Sequence, residues 1–496
     1  MRFILIAFIL LAGAVSARAA EAGALERGTA IIDPATLRQL DGGRFRLDRM
    51  LLPERSADIL LANNELFALP AMTPVRQAMD GDFDRYIARH KASLPNETIG
   101  VGSGFDFQLF DRAQLYSPQT RFMLAGIVNR MDRAYVSEAS CGEIRLIYRL
   151  TRIGLPEAGG DTAPARLPMT LNVVLKAKAE GYAITCSAIA DRWLAAAPAK
   201  GDALDLIGPE NIDRIETNLQ IVHAPKSAVR DFRTDYLLKV FRYDRQTRVF
   251  VESPMENQID RARILADDGL KREFRAWLLD PVNLAAFDRG TVLIPERFLA
   301  KAALAPTPVG FDPSELEPEF GLARGEGAVF GEADVVTALK KAAEGGVKLQ
   351  NIRSLGGFER RLNDVTCSGC HQTRGIGGFH FPGVDWMAAN PSNSAVVPAS
   401  PHFFGDQIRR RDILAALRDG KTPDYSRGFA NRPQLRGSTE LAGTGYSDGW
   451  GAHCYEQGRG AADSDASFRN WTCAEGLSCQ ATGKTSGIGM CFVKGR

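Results

Sequence analysis

Cys367-Ser368-Gly369-Cys370-His371 is the stretch whose residue types and spacing most directly dictate a chemistry. It is C-x-x-C-H, the attachment signature of c-type haem. Two thiols three residues apart on one helical turn face the same side, where they can form thioethers with the two vinyl groups on one haem edge. The adjacent His371 then presents a ring nitrogen to the iron. Ser368 and Gly369 are small and let the backbone lie close to the porphyrin. In a chain of this composition the motif arises by chance about 0.002 times, so coincidence is a poor explanation. Its rivals are a plain disulfide and a thiol–disulfide oxidoreductase. Against the second, residues 359–366 (ERRLNDVT) are not the buried apolar strand that leads into such a motif in a thioredoxin-like fold.

His371 is the expected proximal iron ligand. For the sixth position the order of preference is His380, then an open or water-bound iron, then Met387, then His402. Gly375, Gly377 and Gly378 favour a chain reversal that carries His380 back over the haem. A methionine ligand would raise the potential, a second histidine would lower it, and an open site would admit ligands or peroxide. Phe379, Phe381 and Trp386 are candidates to cover the porphyrin, with ordinary core packing as the equal alternative. One or two of Arg353, Arg360, Arg361 and Arg374 are candidates to pair with haem propionates, although a solvated surface position is the better expectation for any single one. A single C-x-x-C-H disfavours a di-haem peroxidase and excludes a multihaem wire within this chain.

The run LGGFERRLNDVTCSGCHQTRGIGGFHF (residues 355–381) resembles the haem segment of a group of exported bacterial single-haem, cytochrome-c-like proteins. So do Gly126–Asp132 (GIVNRMD) and Cys141–Arg145 (CGEIR). The resemblance spans about residues 120–430. It implies a long N-terminal region, one covalent haem and a histidine some ten residues after the motif, and it brings no known reaction.

Six of the eight cysteines lie outside the motif. Cys454, Cys473, Cys479 and Cys491 cluster in a Gly-rich tail too small for a sizeable core, so two disulfides are the expected staple, in any of three pairings. A four-cysteine zinc site is the lesser alternative, because paired C-x-x-C knuckles are missing. Cys141 and Cys186 are expected to form a third bridge, the alternative being two separate buried thiols. Asp132, Glu143 and Arg145 lie near strand patterns and read as structural ion pairs before cleft groups. His223 and His453 have no visible ligand or nucleophile partner. Neither a hydrolase nucleophile elbow, nor a zinc-protease helix, nor a phosphate-binding glycine loop is present.

These groups need a scaffold. Residues 1–20 (MRFILIAFILLAGAVSARAA) combine Arg2, an apolar run from Phe3 to Val15 and the small-x-small site Ala17-Arg18-Ala19, the layout of a secretory signal peptide. The run is short for a transmembrane helix, and no cysteine or twin-arginine pair accompanies it. The mature protein is therefore expected in the periplasm or secreted, where disulfides persist, with no stable membrane anchor after cleavage. Beyond the signal, basic and acidic residues balance, so nothing draws the chain to nucleic acid.

The 496 residues, 45% hydrophobic and 24% charged, suit several folding units of ordinary globular composition. We expect an α+β protein: a mainly helical region over 21–120, an α+β region with antiparallel strands over 121–304, and a linker or long loop over 305–332. A mainly helical, cytochrome-c-like haem region follows over 333–435, then a Cys-rich tail over 436–496. Helices are expected near Asp58–Leu69, Pro74–His90, Ile189–Ala196, Arg261–Leu279 and Ala333–Ala343. Strands are expected at Ile144–Leu150 and Met169–Ala177, and a hairpin from Tyr236–Tyr243 and Thr247–Glu252 across a three-residue loop. One covalent haem c with one iron, serving electron transfer to an unidentified redox partner, is the first reading. A periplasmic haem enzyme with an open iron, a thiol oxidoreductase using Cys367 and Cys370, and a binding module pinned by haem are the alternatives.

Overall fold

The computed structural model describes residues 28–54, 60–153, 165–195, 203–224, 233–307, 322, 328–352, 354–366, 401–427, 453–455, 477–481 and 488–493. The expected signal peptide lies outside the described residues, as do Cys367, Cys370, His371 and His380.

The fold is α+β. Helices α1 (Pro34–Gly42), α2 (Leu47–Leu51), α3 (Asn63–Leu66) and α4 (Thr73–Ser93) come first. A ten-stranded sheet follows, built on a meander of β4 (Thr120–Arg130), β5 (Glu143–Arg152), β6 (Ala165–Lys176), β7 (Ile212–Ala224), β8 (Arg233–Asp244) and β9 (Val249–Ser253). β1 (Ala30–Ile31) pairs with β4, and β10 (Ala302–Thr307) pairs with β8. β3 (Phe107–Leu109) continues along β7, and β2 (Ile99–Val101) joins it in the sheet's parallel pair.

The strand alternation has a clear physical use. On β5, Ile144, Leu146, Tyr148 and Leu150 face a core shared with Leu171, Val173 and Leu175 of β6 and with helices α1–α4. Opposite them on β5, Glu143, Arg145, Ile147, Arg149 and Thr151 are also buried, so both faces of this strand are covered. The Tyr148 hydroxyl donates to the Phe45 carbonyl at 2.7 Å, giving the buried ring an acceptor for its polar end.

Three details differ from expectation. The helical stretch expected over Arg261–Leu279 is two helices, Arg261–Ala266 and Asp268–Leu278, parted at extended Asp267, whose side chain accepts from the Gly269 amide at 2.8 Å and the Leu270 amide at 3.0 Å to cap the second. The hairpin loop is the four residues 245–248, because the Asp244 side chain accepts from the Gln246 amide at 2.9 Å and Arg248 adopts φ 58°. Of Asp58–Leu69, only α3 is helical among the described residues: the Glu65 carboxylate caps the Ala62 amide at 3.1 Å, and Pro70 opens a separate 3-10 turn.

A second core lies in a helical layer formed by α6 (Arg261–Ala266), α7 (Asp268–Leu278), α8 (Pro281–Arg289), α9 (Glu332–Glu344) and α10 (Leu355–Val365). It draws residues from both sides of the stretch 305–332 and, unlike a plain linker, from within it, where Leu322, Val329 and Phe330 are buried: Phe274 meets Phe298 at 5.0 Å and Phe330 at 5.6 Å, and Phe330 meets Phe358 at 5.0 Å. α5 (Cys186–Ala195) packs on the late helix α11 (Pro401–Arg418). In the tail, β11 (His453–Tyr455), β12 (Leu477–Ala481) and β13 (Ile488–Val493) form a small antiparallel sheet. Among the described residues no helix is long and apolar enough to cross a membrane.

Candidate functional site

The motif itself lies outside the described residues; α10 precedes it and α11 follows it. α10 leads straight to it. Phe358, Leu362 and Val365 recur at helical spacing and are buried in the second core, and Thr366, the last residue before Cys367, is buried as well. The start of α10 is fixed twice. Ser354 Oγ accepts from the Gly357 amide at 3.1 Å as a helix cap. Just upstream, the Asp288 carboxylate accepts from the backbone amides of Gln350, Asn351 and Ile352 at 2.9, 2.8 and 2.7 Å.

Arg361 does not take the solvated position expected of it. Its side chain is fully buried and donates to the carbonyls of Asp288 at 2.7 Å and Arg427 at 2.8 Å. Its place among the buried residues follows from its position one residue before Leu362 on the packed face of α10. Arg353 and Arg374 lie outside the described residues, as do Met387, Phe379, Phe381 and Trp386.

Downstream, α11 packs against α5 and against the turn at 131–136 that follows β4. Ser187 Oγ donates to the Arg418 carbonyl at 2.7 Å. α5 is in turn bolted to the sheet by the Cys141–Cys186 disulfide, with Cα atoms 5.3 Å apart. This is the third bridge expected from the sequence. In the tail, Cys479 is disulfide-bonded and sits opposite Cys491 in the strand register.

The two short stretches that carry no chemistry of their own have a place in the fold. Gly126–Asp132 ends β4, and Cys141–Arg145 opens β5. They press together at Gly142, whose φ is 88° and where a Cβ would stand 2.7 Å from both the Arg130 carbonyl oxygen and Met131 Cα. Only glycine suits that backbone and that approach. Each stretch feeds a buried ion cluster.

In the first cluster Asp132 accepts from Arg130 Nε at 2.8 Å, from an Arg409 guanidinium nitrogen at 2.8 Å and from one of Arg427 at 2.6 Å. Burial alone would raise its carboxyl, but Arg130, Arg410, Arg409 and Arg427 outweigh burial and hold it well below the usual carboxylate range. In the second, Glu143 accepts from Arg145 at 3.0 Å and Arg214 at 2.7 Å and lies 3.3 Å from Arg133. Glu216 and Glu256 complete it, the latter paired with Arg133. Glu143 is likewise held well below its ordinary range, its arginines outweighing burial. Asp132, Glu143 and Arg145 are thus ion pairs inside the fold, as their strand context implied. Arg409 and Arg427 were not legible as partners of Asp132: they lie 277 and 295 residues away in sequence. The only sequence signal was the presence of Arg130 and Asp132 together in Gly126–Asp132.

Elsewhere, His223 Nδ1 lies 3.4 Å from Thr234 Oγ1, and His453 sits on β11. Among the described residues no group of His, Cys, Asp and Glu is arranged to hold a metal ion.

Cys141, Cys186 and Cys479 are committed to disulfides and do not compete for a covalent partner. The chain reaches Cys367 from a buried, capped helix and leaves the segment into a helix fixed to the sheet. Comparison with protein-family models, with curated proteins and with solved structures gave no match to this chain.

Proposed function

We propose that the chain is an exported c-type haem protein, with one haem c attached through Cys367 and Cys370 and used to pass single electrons to a partner protein. The observation that carries this reading is the pentapeptide Cys367–His371, entered directly from α10. His371 would hold the iron on one side and His380 on the other. When bound, the haem supplies one-electron redox chemistry. The protein's own residues supply position: Phe358, Leu362 and Val365 set the helix on which Cys367 follows, while Asp288 and Ser354 fix where that helix begins.

Export and a place among exported single-haem, cytochrome-c-like proteins belong to the same reading. The Cys141–Cys186 disulfide supports an oxidising compartment, and the signal layout of residues 1–20 supports periplasmic or secreted delivery without a lasting membrane anchor. The charge balance argues against nucleic acid as a partner. The thiol-oxidoreductase alternative loses ground because a helix, and not a strand, precedes Cys367.

The test is a pyridine haemochrome spectrum with an intact mass, on protein exported from a host that matures c-type cytochromes. The expected result is a c-type spectrum and a mass increase of one haem, both lost in Cys367→Ser. A colourless wild-type protein of unmodified mass overturns the reading.

A further inference from the structure

We infer that Asp132 is a positioning residue for the haem-bearing segment: one buried carboxylate in the turn that follows β4 fastens both flanks of residues 367–400 to the sheet. The inference rests on the haem reading for its spectroscopic consequence alone. The downstream flank is held directly, by the Arg409 guanidinium of α11 on Asp132 at 2.8 Å. The upstream flank is held through Arg427. That residue's side chain donates to Asp132 at 2.6 Å, and its carbonyl accepts from Arg361 of α10 at 2.8 Å. Its amide donates to the Arg289 carbonyl at 2.8 Å, which ties the same residue to the end of α8.

The carboxylate type matters. An ionised Asp accepts several hydrogen bonds on its two oxygens, whereas an amide offers one oxygen and would aim its NH2 at a guanidinium. The platform is stiff. Asn129 Oδ1 accepts from the Met131 amide at 2.8 Å, its Nδ2 donates to the Gly28 carbonyl at 3.0 Å, and Gly142 wedges against Arg130 and Met131. A group held between rigid elements transmits small displacements to what it supports. On the haem reading, the proposed ligands His371 and His380 belong in sequence to residues 367–400, so releasing either flank is expected to change the coordination of the iron. The long region before the motif thereby acquires a role as the frame against which the segment is aligned.

The test uses the full exported chain with haem attached, comparing wild type with Asp132→Asn, Arg409→Gln and Arg427→Gln. Hydrogen exchange is read in residues 355–366, 401–418 and, as a control, 73–93. Asp132→Asn is expected to speed exchange about tenfold or more in both flanking helices and to leave the control unchanged. Arg409→Gln should loosen 401–418 first and Arg427→Gln 355–366 first, which decides the matter even if Asp132→Asn fails to fold. With haem still covalently bound by mass, Asp132→Asn should convert part of the ferric low-spin iron to high-spin or shift the reduction potential. Flanks as protected as in wild type, or loosening confined to one of them in Asp132→Asn, overturn the inference. Loosened flanks with unchanged spin state and potential reduce Asp132 to a structural anchor and overturn its positioning role. A wild type without haem removes the haem reading, and the exchange pattern alone then decides whether the clasp exists.

Discussion

The sheet body, residues 28–253, buries clusters of opposed ions beside its apolar core; the helical layer, drawn from residues 259–299 and 322–365, interlocks aromatic rings and sets Asp288 and Arg361 against backbone. In the sheet, Glu143 is shared among Arg133, Arg145 and Arg214, and Lys239 is bracketed by Asp82 and Glu252. In the layer, Phe274, Phe298, Phe330 and Phe358 interlock, Asp288 accepts three backbone amides, and Arg361 donates to two carbonyls. Removing one member of a buried ion cluster leaves its partners charged and dry, whereas removing a ring leaves a hole. The two halves should therefore fail under different insults, and the helix leading to Cys367 belongs to the half that depends less on charge.

The largest expected effect is on the sheet. Glu143→Gln deprives three arginines of their shared counter-charge and should cost about 3–5 kcal/mol at neutral pH, read by urea unfolding. Acid should act in the same direction. Glu143, Glu256 and Asp132 are held below their ordinary values by neighbouring arginines that outweigh burial. A carboxyl lowered in the fold contributes stability that is complete above its unfolded value, near 4.5 for glutamate, and is lost as pH falls through the folded one. Circular dichroism during acid titration should show the sheet failing below about pH 4.5, with a shallower acid limb in Glu143→Gln. An identical limb would assign the acid transition to other groups.

Next comes the layer. Phe274→Ala removes a fully buried ring that touches Trp277, Phe298 and Phe330, at a cost of about 3–5 kcal/mol. Exchange protection should fall in 259–299 and 328–366 before it falls in the sheet. Simultaneous loss in both would mean that the halves unfold as one cooperative unit.

Breaking the Cys141–Cys186 bridge by a double serine substitution should cost up to about 4 kcal/mol on the chain-entropy account, given a sequence separation of 45 residues. Thermal melting with and without reductant checks it: the wild type should lose more on reduction than the variant, in which the disulfide of Cys479 is still there to be reduced. The smallest effect is expected at Asp41. Burial raises its carboxyl, with the Leu124 amide and Arg121 opposing. A raised carboxyl gives stability that is present below its unfolded value and lost as pH rises through the folded one, so at neutral pH the ionised group is a cost. Asp41→Asn keeps an acceptor for the Leu124 amide, 3.0 Å away, and should stabilise the fold at pH 7 by no more than about 1 kcal/mol. A loss of several kcal/mol would show that the ionised form is needed.

Elements with strong local periodicity were legible from residues alone. β5, β6, the strands β8 and β9, α4 and α9 lie where alternation and helical spacing put them, although the β8–β9 turn itself is one residue longer than expected. The Cys141–Cys186 pair was legible by cysteine count and compartment. α3 came out shorter because a cap at Ala62 and the turn at Pro70 bound it on both sides. Arg361 and the partners of Asp132 were hidden for a different reason: hydrogen bonds across 66 to 295 residues leave no local pattern. Cys367–His371 stands out as a motif by its spacing alone, while the frame around it was legible only where its pattern is local.

The separation of 277 and 295 residues between Asp132 and its later arginines bears on the order of biogenesis. A chain made from its N-terminus at about 5–20 residues per second exposes Asp132 roughly 15–60 s before Arg427 exists. Until then Arg130 is its one available partner in this cluster, and the fastening of the downstream helix must wait. The bonds from Asp132 to Arg409 and Arg427 can therefore close only after the whole of residues 367–400 has been made.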